Sequence, residues 1–143
     1  MKFRSVVIYA LITVFLAGVF IMAQGSLEIR AASYTAVAGW QQMSTPSGET
    51  VWVPTTAALT AADIARGEPR TEPNGQRTVG VVFTADGARK MAQLSAAQTN
   101  RPIALLLDGK VVWAPIVRGT IEKEAVLSGV TPDIVQRVLT SLK

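Results

Sequence analysis

The stretch Ile103-Ala-Leu-Leu-Leu-Asp-Gly-Lys-Val-Val-Trp-Ala-Pro115 decides the fold. Residues 103–107 are apolar at every position, so both faces of the segment must be covered, as in a central strand. Asp108-Gly109 is the favoured two-residue hairpin turn. Lys110-Val111-Val112-Trp113 then returns as a second strand, and Pro115, which has no backbone donor, stops it or marks an edge.

Working outward, Thr78 to Thr84 reads as a strand with Val79, Val81 and Phe83 on one face. Thr84-Ala85-Asp86 caps a helix that runs to about Gln98, with Ala88, Met91, Ala92, Leu94 and Ser95 at helical spacing. Downstream, Ala125-Val126-Leu127 is a short strand ended by Gly129. The last helix opens at Thr131-Pro132-Asp133, with an N-cap, a proline at the first helical position and an acid at the positive end of the dipole. Ile134, Val135, Val138, Leu139 and Leu142 form its apolar stripe.

The upstream half is looser. Leu27 to Ala31 alternates as a half-buried strand does, and Thr50 to Val53 is a short strand closed by Pro54. Thr60-Ala61-Ala62-Asp63 has capping-box spacing and starts a short helix that Gly67 ends. Residues 39–49 and 67–77, rich in Gly, Pro and polar residues, read as solvated loops. The sum is an α+β fold, a mainly antiparallel sheet with helices packed on one face.

An apolar segment precedes this domain. Val6 to Ala23 is 18 residues without a charge, behind Lys2 and Arg4. As a helix it spans roughly 27 Å, close to the bilayer core of roughly 30 Å, and the basic residues leave its N-terminus in the cytoplasm. It exceeds the usual signal-peptide core of about 7–15 residues, which favours an uncleaved anchor. Small residues around Ala23-Gln24-Gly25 keep a cleaved signal peptide as the alternative. The expected organisation is an anchor or signal over residues 1–25 and an exported domain over 26–143. The protein is then single-pass in the cytoplasmic membrane with its C-terminal domain outside, or secreted if cleaved.

The chain has 143 residues, no cysteine and no histidine, which excludes disulfide frameworks, Cys/His zinc sites, thiol nucleophiles and histidine-based acid–base catalysis. Its net charge is +4. Beyond Lys2 and Arg4 there remain 12 basic against 10 acidic residues, too even a balance for nucleic-acid binding. Asp63, Asp86 and Asp133 sit in first turns of expected helices and Asp108 in a hairpin turn, so structural roles account for them. Glu122 and Glu124 flank Lys123 as a solvated cluster. No phosphate loop or calcium loop is present. The reading is non-enzymatic, with no cofactor and no metal.

Of Trp40, Trp52 and Trp113, the last is the best candidate for an exposed anchor, because it precedes Ala114-Pro115 at the end of a hairpin strand; core packing is the competing reading. Trp113, Pro115 and Ile116 are therefore the candidate partner-binding residues. A sheet edge there would take an extended polypeptide by strand addition.

The ordered series Ile103 to Pro115, Ile116, Ile121 and Ala125-Val-Leu-Ser-Gly129 resembles the head subdomain of the first periplasmic domain of SecD, a subunit of the bacterial protein-export machinery. Phe83-Thr84-x-x-Gly87 and Leu59-Thr60-x-x-Asp63-Ile64-x-x-Gly67 are also similar. The likeness covers most of residues 27–142 and is strongest over 78–142. Where the family usually has serine this chain has Trp113, and Val130 stands where an aromatic is usual. The family subunit also carries several membrane helices, a base subdomain and an acidic residue for proton-driven work; this chain shows one apolar segment. The resemblance implies the fold and a preference for unfolded or secreted polypeptides, or for envelope and translocon proteins, and brings no catalytic residue. A secreted or periplasmic inhibitor or small-ligand-binding protein on the same fold is the alternative.

Overall fold

A computed structural model describes residues 26–142. The apolar run 6–23, and with it the choice between anchor and signal peptide, lies outside the described residues. No helix among the described residues is long and apolar enough to cross a membrane.

The elements are β1 (Leu27–Ala31), β2 (Gln41–Ser44), β3 (Thr50–Val53), β4 (Leu59–Thr60), a single 3-10 turn (Ala61–Asp63), β5 (Ile64–Thr71), β6 (Arg77–Phe83), α1 (Ala85–Ala97), β7 (Ile103–Leu107), β8 (Lys110–Trp113), β9 (Glu124–Leu127) and α2 (Pro132–Ser141). They make three antiparallel sheets among the described residues, ordered β4-β1-β7-β8, β2-β3 and β5-β6-β9. The α+β class and the antiparallel pairing are as expected, but the strands are divided among separate sheets.

The strand β7 explains that division. All five of its residues are buried, and they alternate between two cores. Ile103, Leu105 and Leu107 face the main core, with Val79, Val81 and Phe83 of β6, Met91 of α1, and Ile134, Val135 and Val138 of α2. Ala104 and Leu106 face a second core with Val51, Val53 and Val111. The helices thus cover one face of the β7 sheet, as expected, and the β2–β3 hairpin covers the other.

Three expectations are corrected. Residues 39–49 are not all loop: Gln41–Ser44 pairs with β3, and only Met43 of that strand packs on the second core. A strand with one inward apolar residue leaves no alternation to read. Residues 67–77 are not all loop either: β5 runs from Ile64 through Gly67 and Pro69 to Thr71, paired with β6, and only 72–76 form the turn between them. Proline is tolerated there because β5 is an edge strand. The helix expected from Thr60 to Gly67 is only the 3-10 turn. Thr60 N donates to Asp63 Oδ2 at 3.0 Å, a capping-box contact, and the chain then extends into β5.

The local signals elsewhere are realised. Thr84 Oγ1 accepts from Gly87 N at 3.0 Å and Thr131 Oγ1 from Ile134 N at 3.4 Å, capping both helices. Asp108 and Gly109 have φ of 54° and 78°, the positive pair a tight hairpin turn requires. Asp108 Oδ1 also accepts from Ser26 N at 3.0 Å, tying the start of β1 to that turn.

Candidate functional site

After Trp113 the chain leaves β8 and crosses to β9 through residues 114–123, and this connection is fastened at two places. Pro115 O accepts from Ile103 N at 3.0 Å, Val117 N donates to Arg101 O at 2.8 Å, and Val117 O accepts from Asn100 N at 2.7 Å. Further on, Ile121 N donates to Ser95 Oγ at 2.8 Å. Ser95 is buried in α1, and its hydroxyl in turn donates to Met91 O at 2.7 Å. Between the two fastenings Arg118, Gly119 and Thr120 are exposed.

Beneath the connection lies an apolar cavity of about 430 Å³. Ile29 and Leu105 of the first sheet, Val81, Phe83 and Leu127 of the third, and Met91 of α1 wall it. Trp113, Pro115, Ile116 and the residues 117–121 line it on the side of the connection. Its lining is mainly apolar, with no carboxylate and with Arg118 and Thr120 as polar side chains on the side of the connection. What it offers is a place to remove apolar surface from water, worth about 25 cal/mol per Å².

Trp113, Pro115 and Ile116 are therefore brought together along one side of this cavity. Trp113 is half-buried against the main core, between the core and exposed positions weighed from sequence. Ile116 is 42% exposed. Trp40 does not line this cavity; it lines a second cleft, which Ile116 also borders. Trp52 exchanges two backbone hydrogen bonds with Ser33, 2.9 and 2.7 Å, fixing the β2–β3 hairpin to the chain beyond β1.

Sequence reasoning missed β9 as part of the site. Ala125, Val126 and Leu127 also line the cavity. β9 pairs with β6 along one edge, Val79 opposite Leu127 through Val82 opposite Glu124, and its other edge carries no strand among the described residues. Val126 is 40% exposed. The alternation of Leu127 inward and Val126 outward was the one available signal.

Apart from Arg118, which lines the cavity from the connection, the charges engaged in ion pairs lie elsewhere. Arg66 pairs with Glu68 at 2.8 Å, holding the Glu68 carboxyl below its ordinary range, and Arg70 reaches Glu124 at 3.7 Å. Asp63 accepts from Lys90 Nζ at 2.9 Å and from Thr60 N, which together hold its carboxyl below the ordinary range. No group of three or more carboxylates is placed to hold a metal ion among the described residues.

The family described as SecDF, P1 head subdomain, matches residues 37–142. Protein translocase subunit SecD of Acidaminococcus fermentans is 44% identical over 59 residues, which is 41% of this chain and 14% of that protein. Protein translocase subunit SecDF of Thermus thermophilus is 32% identical over 74 residues, 51% of this chain and 10% of that protein. A solved structure of SecDF, described as a membrane component that enhances protein export, superposes with a TM-score of 0.63 at 20% identity, covering 84% of this chain and 62% of that one. SecDF in its super-membrane-facing form gives 0.64 at 21% identity, over 82% of this chain and 18% of that one. The chain thus aligns with only a small part of the translocase subunits it matches. With the family match extending over residues 37–142, the chain belongs to the SecDF P1 head subdomain family.

Proposed function

We propose that this chain is a non-enzymatic binding domain that holds segments of polypeptide during or after export. Residues 26–143 form the exported domain, and residues 6–23 anchor it to the cytoplasmic membrane. The observation that carries the reading is the apolar cavity lined by Trp113, Pro115 and Ile116 on one side and by the open edge of β9 on the other. An extended segment hydrogen-bonds along β9 as an added strand and turns alternate side chains into the cavity, so backbone contacts hold any sequence and the cavity selects apolar residues. The translocase subunits that resemble the chain support this assignment to protein export.

The test is photo-crosslinking in cells with the full chain, a benzophenone amino acid replacing Ile116 or, separately, Val126. Adducts with newly exported polypeptides at both positions are expected. One discrete small-molecule adduct, or none, overturns the reading. The cavity volume of about 430 Å³ also falls in the range of small-ligand sites, so the alternative is a carrier of a small apolar ligand. Co-purification of one such compound, with no polypeptide adduct, would establish that alternative.

A further inference from the structure

We propose that a second cleft, at the far end of the first sheet, is a second polypeptide seat. It takes an aromatic or aliphatic side chain beside Tyr34 and Trp40 and a backbone N–H on Gln98 Oε1. The inference rests on the polypeptide reading above and extends it to a separate site.

The cleft is about 430 Å³ and is lined by Tyr34, Trp40, Gln98, Arg101 and Ile116, among others. Gln98 is 7% exposed, and its Nε2 donates to Ala32 O at 2.9 Å and Pro102 O at 2.8 Å. Two carbonyl acceptors on one side fix which end of the amide is nitrogen, because the reversed amide would set oxygen against oxygen. Gln98 Oε1 is then an acceptor with no donor among the described residues. An amide oxygen so placed gains by meeting an N–H from outside.

The remaining lining residues narrow the occupant. The Tyr34 hydroxyl donates to Ala114 O at 2.9 Å, which holds the ring in place, and burial followed by the Glu49 charge raises its pKa, so it stays a donor. Tyr34 is 39% exposed and Trp40 half-buried, so each has ring surface still to cover. Arg101 is exposed and has no ion-pair partner among the described residues. A guanidinium there repels a lysine or an amino terminus, which leaves neutral N–H groups as donors for Gln98 and favours a carbonyl or carboxylate beside them. A neutral N–H, a neighbouring carbonyl and an apolar side chain together describe a stretch of polypeptide backbone. Ile116 lines both this cleft and the larger cavity, so one extended segment crossing Ile116 reaches both.

The test uses the full chain in detergent micelles and two fluorescein-labelled peptides, read by anisotropy. One peptide carries a single aromatic residue; the other carries two, separated by a series of spacers. For the wild type, one spacer length is expected to bind at least tenfold more tightly than the single-aromatic peptide. W40A and R101E should each abolish that gain and leave single-aromatic binding within twofold, and V126D should weaken both peptides. Methylating the backbone nitrogen at the second aromatic residue should remove the gain in the wild type and change nothing in W40A. Retention of the gain by R101E and W40A overturns the second seat while the first stands. Absence of binding of either peptide to the wild type overturns the polypeptide reading, and this proposal with it. Should W40A fail to fold, R101E, on an exposed side chain, decides alone.

Discussion

Gly87, in the first turn of α1, lies directly against the backbone carbonyl of Asp63. A Cβ built on it would stand 2.9 Å from the Asp63 carbonyl carbon and closer still to the oxygen. The same oxygen accepts from Thr84 N at 2.9 Å and Thr84 Oγ1 at 3.3 Å. Leu59-Thr60-x-x-Asp63 and Phe83-Thr84-x-x-Gly87, two separate motifs in sequence, are thus two sides of one contact. It seats the start of α1 on the turn before β5.

Gly87→Ala therefore has the opposite sign from most glycine replacements in helices. Alanine is ordinarily favoured over glycine by about 1 kcal/mol in a helix interior. Here the obstacle is the backbone carbonyl of Asp63, which cannot swing away as a side-chain tip can. Urea denaturation of the full chain in micelles should show a loss of about 2–3 kcal/mol, the scale of overpacking a filled site. An unchanged or raised midpoint would mean that α1 is free to lift from the turn.

The carboxylate of Asp63 adds a pH dependence to that contact. Hydrogen bonds from Lys90 and from Thr60 N hold its pKa below the ordinary value of a free carboxyl. A group whose folded pKa lies below its unfolded one stabilises the fold fully above the unfolded value, about pH 4, and loses that contribution as pH falls through the folded value. Wild type should therefore be more stable than Asp63→Asn at pH 7, with the difference shrinking as pH is lowered below about 4. Paired denaturation curves at a series of pH values check this. A difference independent of pH would show that the Lys90 contact contributes through shape alone.

Local signals were legible in the sequence, and contacts between distant segments were not. Asp108-Gly109, Thr84 and Thr131 announced a turn and two helix starts because each acts within four residues of itself. The strand β5 was hidden because Gly67, Pro69 and the charges of Arg66, Glu68 and Arg70 are turn and surface residues by type; only pairing with the apolar β6 makes a strand of them. The candidate site divides the same way. Trp113, Pro115 and Ile116 stood out as an aromatic and a proline at the end of a strand. That they share a cavity with Val126 follows from how residues 114–123 cross between two sheets, which no local pattern encodes.

Val126 offers a way to separate binding from stability. It is exposed, on an edge strand, and lines the cavity. Val126→Asp removes little buried surface, so its stability cost should stay within about 1 kcal/mol. A carboxylate at the cavity should nonetheless weaken an unfolded polypeptide probe at least tenfold, because an apolar side chain would have to pass it. Trp113→Ala, by contrast, removes a half-buried ring packed against the main core and should lower both stability and affinity. Anisotropy titrations beside denaturation curves distinguish the two. Equal affinity of Val126→Asp and wild type would remove the cavity from the binding surface.

Gly80 provides the converse of Gly87. It lies in β6, and a Cβ there would stand 2.7 Å from Arg70 Cζ, so the guanidinium rests across bare backbone. From that position Arg70 reaches Glu124 at 3.7 Å and Glu68 at 4.0 Å. The obstacle at Gly80 is the far end of a flexible side chain, and the pairs it would break are long and partly exposed, worth about 0–1 kcal/mol each. A strand interior also favours a residue with a side chain over glycine. Gly80→Ala should therefore change stability by less than about 1 kcal/mol, with Arg70 moving outward, whereas Gly87→Ala loses two to three times as much. If Gly80→Ala proved as damaging as Gly87→Ala, Arg70 would have to be fixed in place. Its bridge between β5 and β9 would then help hold the open edge of β9 in the position the cavity needs.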